Sequence, residues 1–136
     1  MILFADSSVL IWRFEGEIVF RRAARAAFDA VLSEHPDTRF AVSRLALLEV
    51  RVKPMRDNDT ALLRRYDEFF AGSMEMVEVD AAVIDRATAL RAAHGLKTAD
   101  SIHAAPALSL MDAALFVTGD QVFERVIGLK VILVKP

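Results

Sequence analysis

Four carboxylates in the sequence stand at positions that suit joint chemistry at one site. They are Asp6, Glu49, Asp100 and Asp120. Carboxylates that are packed together repel one another, so such a cluster stays ionised only when cations lie between them. The chain has no Cys, which excludes a thiolate metal site. Ligands that offer only oxygen favour Mg²⁺ or Mn²⁺ over Zn²⁺.

Two of the four carboxylates follow apolar runs that are typical of buried strands. Asp6 ends the run at residues 2–5, and Asp120 follows the run at residues 114–117. Strands buried on both faces belong to mostly parallel sheets, whose functional sites lie at the carboxyl ends of the strands. If these two strands are neighbours, the side chains of Asp6 and Asp120 meet at that edge.

The other two carboxylates lie on predicted helices. Asp100 is in the first turn of the segment TADSIHAA, where the helix dipole favours the ionised form. Glu49 lies within the apolar segment LALLEVRV. It is either one half of a weak surface pair with Lys53, one turn further on, or a functional group among Leu and Val.

Structural roles compete with the functional interpretation at each position. Asp6, Asp100 and Asp120 each stand where a residue that caps or charges a helix start is expected. Asp80 has the same sequence context, and we interpret it as a cap only. His103, on an Ala-rich helix three residues after Asp100, is expected to be a packed or hydrogen-bonded structural residue.

Strands and helices alternate along the whole chain. We predict strands over 2–5, 39–43, 75–79, 114–117 and 131–134, and helices over 7–14, 17–33, 44–53, 60–71, 81–94 and 98–111, with a loop over 55–59 and a short helix from Asp120. Asp80 and Thr98 are the expected caps of two of these helices, and Gly95 is the expected C-terminal stop. This alternation predicts an α/β fold with three α/β/α layers and a parallel sheet of about five strands.

Length and composition limit the classes of protein to consider. The chain has 136 residues, 54% of them apolar, and a net charge of −2. This predicts one domain over residues 1–136 and disfavours broad electrostatic binding of nucleic acid. No uncharged run is long enough to span a bilayer, and the N-terminus lacks the basic region of a signal peptide, so we expect no membrane association and a cytoplasmic location.

The segments FADSSVLI, SRLALLEV, LKTADSIHAA and FVTGDQVF, in this order and spacing, resemble those of PIN-domain proteins. More narrowly, the chain resembles the VapC-type toxins of bacterial toxin–antitoxin pairs, over essentially its whole length. The resemblance implies a Rossmann-like α/β/α fold and a metal-dependent ribonuclease that uses Mg²⁺ or Mn²⁺.

The resemblance also assigns roles to individual residues. The acidic quartet of the family falls on the four carboxylates named above, with Asp6, Asp100 and Asp120 as metal ligands and Glu49 as a further catalytic group. Ser7 and Thr118 match supporting hydroxyl residues. Two residues depart from the family pattern: Gly119 stands where Asn or Asp is frequent, and Pro106 is expected to interrupt the helix that begins at Thr98.

The mechanism implied by the resemblance is hydrolysis of an RNA phosphodiester by a metal-activated water, leaving 5′-phosphate and 3′-hydroxyl ends. An acidic site needs metal and a basic rim to attract RNA. The candidates for that rim are Arg13, Arg44, Arg51, Lys53 and Arg56. The family further implies a homodimer and a VapB-like antitoxin whose extended segment covers the site. We expect Trp12 and Phe14 to be core or interface residues that contribute to an apolar groove for it, and not a platform on which bases stack.

Three other functions remain open from the sequence. The first is a housekeeping PIN-type nuclease that has no antitoxin. The second is a metal-dependent phosphatase of the haloacid-dehalogenase type, which requires a second Asp where Ser8 stands. The third is a receiver-type signalling module, which requires an acidic pair at the first strand end and a late Lys, neither of which is evident.

Overall fold

The fold is built around a parallel sheet of five strands. In the computed structural model, which describes residues 1–72, 74–109 and 114–136, the strand order is β3-β2-β1-β4-β5. The strands are β1 (Ile2–Ala5), β2 (Arg39–Ser43), β3 (Met74–Val77), β4 (Ala114–Thr118) and β5 (Val131–Leu133). Every neighbouring pair is parallel. The predicted α/β class and parallel five-stranded sheet are confirmed.

Helices connect the strands. They are α1 (Ser7–Glu15), α2 (Ile18–Glu34), α3 (Leu45–Arg56), α4 (Thr60–Ala71), α5 (Ala81–His94) and α6 (Thr98–Ser109), with a 3₁₀ segment at Gln121–Arg125. Within the described ranges, none of these helices has the length and apolar character needed to cross a membrane.

The sheet is covered on both faces because its central strands are apolar throughout. Along β1, Ile2 and Phe4 pack into a core with α5 and α6. Leu3 and Ala5 point to the other face, into a core formed with α1 to α4. This alternation follows from the two-residue period of a strand, and it gives the predicted three layers.

The register brings the carboxyl ends of three strands to one level. Ala5 pairs with Val42 of β2 and with Val117 of β4. The next residues along the chain, Asp6 after β1 and Thr118 at the end of β4, therefore lie side by side at the carboxyl edge of the sheet.

Local signals explain several helix ends. The Asp80 carboxylate accepts a hydrogen bond from Val83 N at 2.9 Å, which caps α5. Gly95 ends the same helix with φ +66°, a left-handed conformation that Gly adopts without strain. Both predictions are confirmed.

The predicted effect of two prolines is wrong. We expected α3 to end before Pro54 and a loop to begin at Met55, but α3 continues through Pro54 to Arg56. Pro106 does not interrupt α6, which continues to Ser109. Both prolines are buried, so packing compensates for the one helical hydrogen bond that each removes. The predicted end of α6 at residue 111 lies outside the described residues.

Candidate active site

Asp6 is a buried carboxylate at the carboxyl edge of the sheet, with both oxygens held by hydrogen bonds. Only 4% of its surface is exposed. Oδ1 accepts from Ser8 Oγ at 2.7 Å and from Val9 N at 3.3 Å, and Oδ2 accepts from Thr118 Oγ1 at 2.7 Å. Asp6 therefore caps α1, which is the structural role expected for it from the sequence. Two hydroxyls also fix the orientation of its carboxylate.

The same two hydroxyls join the ends of β1 and β4. Thr118 Oγ1 accepts from Asp120 N at 3.0 Å, and Ser8 Oγ accepts from Gly119 N at 3.1 Å. Asp120 is exposed, and its Oδ1 accepts from Val122 N at 2.9 Å at the start of the 3₁₀ segment. Thr118 thus links Asp6 to the backbone of Asp120. The part of Ser8 in this link was not predicted from the sequence.

Glu49 points toward the sheet edge and away from Lys53. Its Oε1 accepts from Ser7 Oγ at 3.0 Å and from His103 Nε2. Lys53 Nζ lies 3.8 Å from a carboxylate oxygen of Glu15 instead. The alternative of a surface pair between Glu49 and Lys53 is therefore wrong, and Glu49 belongs to the acidic cluster.

His103 is a site residue whose place the sequence did not reveal. It is 2% exposed and joins α6 to α3 through Glu49. An ionised carboxylate can only accept, so Nε2 carries the proton and donates. Nδ1 is the one buried side-chain nitrogen or oxygen atom of the described residues that has no hydrogen-bond partner. The expected hydrogen-bonded role is correct. The available signal was the three-residue spacing from Asp100, which places both residues on one helix face.

The pKa values of two carboxyls are raised, that of Asp6 by burial and that of Asp100 by burial and by neighbouring charges. Burial raises the pKa of Asp6, against the hydrogen bonds from Ser8 and Thr118. Burial also raises the pKa of Asp100, and the charges of Asp120, Asp6 and Glu49 raise it further. The four predicted carboxylates therefore lie close enough together to interact electrostatically.

Glu49 behaves differently because His103 and Ser7 donate hydrogen bonds to it. Its burial raises the pKa, but the hydrogen bond and charge of His103 and the hydrogen bond from Ser7 outweigh burial and leave the pKa below its usual value. Glu49 is therefore held ionised beside carboxyls that resist ionisation. Such opposed shifts within one cluster are typical of functional sites.

The donor set fits a hard divalent cation. Within residues 1–72, 74–109 and 114–136, no three Asp, Glu or His side chains are placed to bind one ion together. Mg²⁺ usually keeps several waters and uses one or two carboxylates plus substrate phosphates, so it does not need such a cage. A cation would also relieve the repulsion that raises the pKa of Asp100. The carboxylates therefore suit Mg²⁺ or Mn²⁺ held largely through water.

The five predicted rim cations lie on α1, on α3 and at the start of α3. Four pair with carboxylates: Arg44 with Glu78, Arg51 with Asp67, Lys53 with Glu15 and Arg56 with Asp57. The fifth, Arg13, lies over the ring of Phe14. Exposed ion pairs are weak and exchange readily, so pairing does not prevent these residues from contacting phosphate. Arg44, at the carboxyl end of β2, is the one closest in the fold to the sheet edge that carries Asp6.

Comparisons with known proteins agree with this architecture. The family model of the PIN domain matches residues 3–129. No curated protein matches the sequence closely enough to count as a relative.

Solved structures with the same fold include three toxin–antitoxin complexes. VapBC2 from Rickettsia felis, bound to a DNA fragment from its promoter, has a TM-score of 0.77 at 14% identity, covering 99% of this chain and 100% of that one. A toxin–antitoxin complex from Klebsiella pneumoniae has a TM-score of 0.73 at 21% identity, covering 99% and 98%. VapBC-1 from nontypeable Haemophilus influenzae has a TM-score of 0.73 at 16% identity, covering 98% of each chain. At these identities the likeness is one of fold.

Proposed function

The chain belongs to the PIN-domain family, and from this premise we propose that it is a metal-dependent endoribonuclease that acts as the toxin of a toxin–antitoxin pair. The observation that carries the proposal is the acidic cluster at the carboxyl edge of the sheet. There the pKa of Asp100 is raised by burial and by the charges of three other carboxylates. A cluster of this kind is suited to hold a divalent cation against a phosphodiester.

In this proposal Asp6, Asp100 and Asp120 hold Mg²⁺ or Mn²⁺, directly or through water. When bound, the cation lowers the pKa of a water molecule and neutralises charge on the scissile phosphate. Asp6 is fixed for this role by Ser8 and Thr118, which hold one carboxylate oxygen each. Asp120 is exposed and can therefore reach an incoming RNA chain.

Glu49 is the residue best placed to accept a proton. Both of its side-chain hydrogen bonds, from Ser7 and His103, are made to Oε1. Oε2 is left to orient the attacking water and to take its proton. The low pKa of Glu49 keeps it ionised for this step. As water attacks the phosphorus, the bond to the 3′-oxygen breaks and the departing 3′-oxygen takes a proton from solvent. Cleavage therefore leaves a 5′-phosphate and a 3′-hydroxyl end.

RNA is attracted to this acidic edge by the cation and by basic side chains around it. Arg44 is the rim residue nearest the edge, and Arg13, Arg51, Lys53 and Arg56 lie further along α1 and α3. A phosphate competes with the exposed carboxylate partners of these residues at little cost in free energy.

An apolar groove supports the proposal of an antitoxin partner. The groove, of about 250 Å³, is lined by Leu10, Arg13, Arg25, Phe28, Asp29, Phe40 and Phe69. It lies between α1, α2 and α4, and we call it the helical groove. Phe14 packs beside it against Phe69, with ring centroids 5.1 Å apart, whereas Trp12 is not among its lining residues. The solved structures of the same fold are toxin–antitoxin complexes, and a segment of a small VapB-like antitoxin suits a groove of aromatic rings between two arginines.

A second exposed surface supports a homodimer. Leu48, Val52 and Met55 of α3 have exposures of 60%, 50% and 60% and stand on one helix face. Exposed apolar stripes of this kind mark interfaces. We further propose that residues 1–136 form one domain that functions in the cytoplasm.

The test is cleavage of single-stranded RNA by the purified chain. We expect cleavage with Mg²⁺ or Mn²⁺, none in EDTA, and recovery when Mn²⁺ is added in excess. A small phosphomonoester serves as the control substrate and should stay intact. Full RNA cleavage in EDTA, or hydrolysis of the phosphomonoester alone, would contradict the proposed activity.

The toxin role needs a separate test in cells. Expression of the chain alone should arrest growth, and co-expression with the product of a small adjacent reading frame should restore it. Normal growth in cells in which RNA cleavage is verified would indicate a housekeeping nuclease instead.

A further inference from the structure

The indole of Trp12 lies directly on the backbone of Gly119, next to the acidic cluster. A Cβ atom at position 119 would lie 2.4 Å from Cη2 of Trp12, 2.6 Å from Cζ3 and 2.8 Å from Cζ2. The Phe20 ring packs against the indole edge-on, with centroids 4.9 Å apart. The indole thus occupies the space that any side chain at position 119 would take, and Phe20 restricts its movement away.

This contact forms one wall of a cleft of about 520 Å³, which we call the Trp12 cleft. Its lining residues are Ser8, Trp12, Gly119, Asp120, Gln121 and residues 133–136. The volume lies in the range of small-molecule sites. One ring, one carboxylate and one lysine, Lys135, thus surround an open space of nucleotide size.

The Trp12 cleft is continuous with the acidic cluster. Ser8 lines the cleft and donates to Asp6 at 2.7 Å, and its hydroxyl also accepts from Gly119 N at 3.1 Å. Asp120 belongs to both the cleft and the cluster. A nucleotide in the cleft would therefore be a neighbour of the phosphodiester at the acidic cluster.

The cationic side of the cleft is Lys135, an exposed residue beyond the carboxyl end of β5. In the part of the chain that the structure describes, Lys135 forms no ion pair, unlike four of the five rim cations discussed above. An aromatic ring with a nearby cation is the combination that binds unpaired nucleotides, through base stacking and phosphate contact.

We infer that Trp12 and Lys135 form a nucleotide subsite of this chain, in which one unpaired RNA base stacks on the Trp12 indole while Lys135 contacts the backbone phosphate. The inference rests on the proposed ribonuclease function and extends it, because it assigns the binding of the nucleotide next to the cleaved bond. It departs from the expectation from the sequence that Trp12 is not a platform for base stacking, because only the fold places the indole in a cleft beside Asp120 and Lys135. It also gives Gly119 a role. Because Gly119 has no side chain, the Trp12 indole can occupy the space that a side chain at position 119 would fill.

Trp12 is the only Trp in the sequence, so its fluorescence reports on the subsite directly. The experiment uses the full chain with Glu49→Gln, which removes the proposed proton acceptor and keeps the three carboxylates proposed to hold the cation, so we expect it to bind RNA without cutting it. The probe is a fluorescein-labelled single-stranded RNA hexamer in Mg²⁺. We expect the RNA to quench Trp12 emission saturably, with the same Kd as that given by RNA anisotropy. RNA binding with unchanged Trp12 emission would overturn the subsite.

Substitutions test the two contacts separately. Trp12→Leu should weaken RNA binding at least about fivefold, the low end for one lost stacking contact, and Trp12→Phe should recover part of it. Gly119→Ala should shift the emission of the free protein and weaken binding, because its Cβ displaces the indole. If all three variants bind RNA with the wild-type affinity, the proposal is overturned. The emission of the unsubstituted Trp12 remains a test even if Trp12→Leu fails to fold.

Lys130 provides a matched control for Lys135. It is exposed and precedes β5, so it lies at the opposite edge of the sheet. Lys135→Met should lower the slope of log Kd against log salt by about 0.7, the value for one contact to single-stranded phosphate. Lys130→Met, with the same change in charge, should leave the slope unaltered. Equal slopes would remove Lys135 from the subsite.

Two outcomes separate this inference from the proposed function. If the wild-type chain cleaves RNA, but RNA does not change Trp12 emission and the substitutions do not change RNA affinity, only the subsite is wrong. If the wild type neither binds nor cleaves RNA, the ribonuclease function fails and the subsite with it. A change in Trp12 emission on adding a protein partner, but not RNA, would make the Trp12 cleft a protein interface and overturn the inference.

Discussion

His103 donates a hydrogen bond from Nε2 to Oε1 of Glu49, and this contact ties α6 to α3 beside the acidic cluster. The pair is asymmetric in its surroundings, since the His103 side chain is 2% exposed and that of Glu49 is 30% exposed. His103 therefore anchors Glu49 from the core, while the carboxylate stays accessible from the sheet edge. In our proposal this arrangement keeps Glu49 ionised and correctly oriented.

The first prediction concerns His103→Leu, which keeps most of the side-chain volume but removes the donor. The free energy of unfolding should fall by about 1–3 kcal/mol, the usual cost of leaving a buried polar partner unmatched. The pKa of Glu49 should rise, because His103 lowers it. The acidic limb of the pH–rate profile should therefore move to higher pH. Chemical denaturation and RNA cleavage from pH 5 to 8 would measure the two effects.

His35→Leu is the control for that variant, because His35 is exposed at the C-terminal end of α2. It should change neither stability nor the pH–rate profile. A His103→Leu variant that loses stability but keeps the wild-type profile would show that His103 is structural only and does not control the ionisation of Glu49.

The second prediction concerns Thr118→Val, which removes a hydroxyl from a fully buried position. That hydroxyl holds Asp6 Oδ2 at 2.7 Å and accepts from Asp120 N at 3.0 Å. We expect a loss of about 1–3 kcal/mol in the free energy of unfolding. Cleavage should fall as well, because Asp6 loses one of its two orienting hydroxyls.

Thr88→Val controls for the change of residue type. Thr88 is exposed on α5, and its hydroxyl donates to the carbonyl of Ile84 within the same helix. Its stability and cleavage should stay near the wild-type values in the same assays. If Thr118→Val cleaves RNA as fast as Thr88→Val, the hydroxyl of Thr118 has no part in orienting the site.

The third prediction concerns Phe28→Ala in the helical groove. Phe28 lines the groove and packs against Phe40, with ring centroids 5.7 Å apart. Loss of one aromatic wall should weaken antitoxin binding about tenfold or more, as for other central aromatic contacts. RNA cleavage by the free chain should persist, since Phe28 lines the helical groove and is not one of the acidic-cluster residues. In cells, the variant should therefore resist rescue by the antitoxin.

Ile127→Ala is the control for the groove, because Ile127 is 86% exposed in the loop before β5. It should be neutralised by the antitoxin as well as the wild type. Equal rescue of Phe28→Ala and Ile127→Ala would place the antitoxin elsewhere on the surface.

Strong local signals predicted the fold well and the side-chain contacts less well. The apolar run before Asp6 predicted a buried strand, and Asp80 and Gly95 predicted both ends of α5. The helix ends near Pro54 and Pro106 were wrong, because the burial that supports a proline in a helix depends on tertiary packing. Strand endings predicted that Asp6 and Asp120 leave neighbouring strands. They did not predict that His103 bonds to Glu49, since α3 and α6 are 54 residues apart at that contact.

The last prediction separates a site carboxylate from a cap by comparing Asp100→Asn with Asp80→Asn. Asn caps helices about as well as Asp, so neither change should cost capping energy. The charge of Asp100 is opposed by burial and by Asp120, Asp6 and Glu49. Without metal, Asp100→Asn should therefore raise the melting temperature at neutral pH, and it should abolish most RNA cleavage. Asp80→Asn should leave both near wild type, because Asp80 is exposed and its carboxylate accepts a capping hydrogen bond from Val83 N, which Asn can also accept.

The direction of the pKa shift of Asp100 determines how the stability difference between Asp100→Asn and the wild type depends on pH. The folded-state pKa of Asp100 lies above its ordinary value of 3.8, so the folded state binds the proton more tightly than the unfolded state. The wild type should lose this contribution to stability as the pH rises from 3.8 through the folded-state pKa. The stability advantage of Asp100→Asn should therefore grow across that window and then level off, whereas Asp80→Asn should show no such trend. Thermal melts from pH 3.5 to 8 in EDTA, repeated with Mn²⁺, measure it. If Asp100→Asn and Asp80→Asn cleave RNA equally and melt alike at every pH, Asp100 is no part of the metal site.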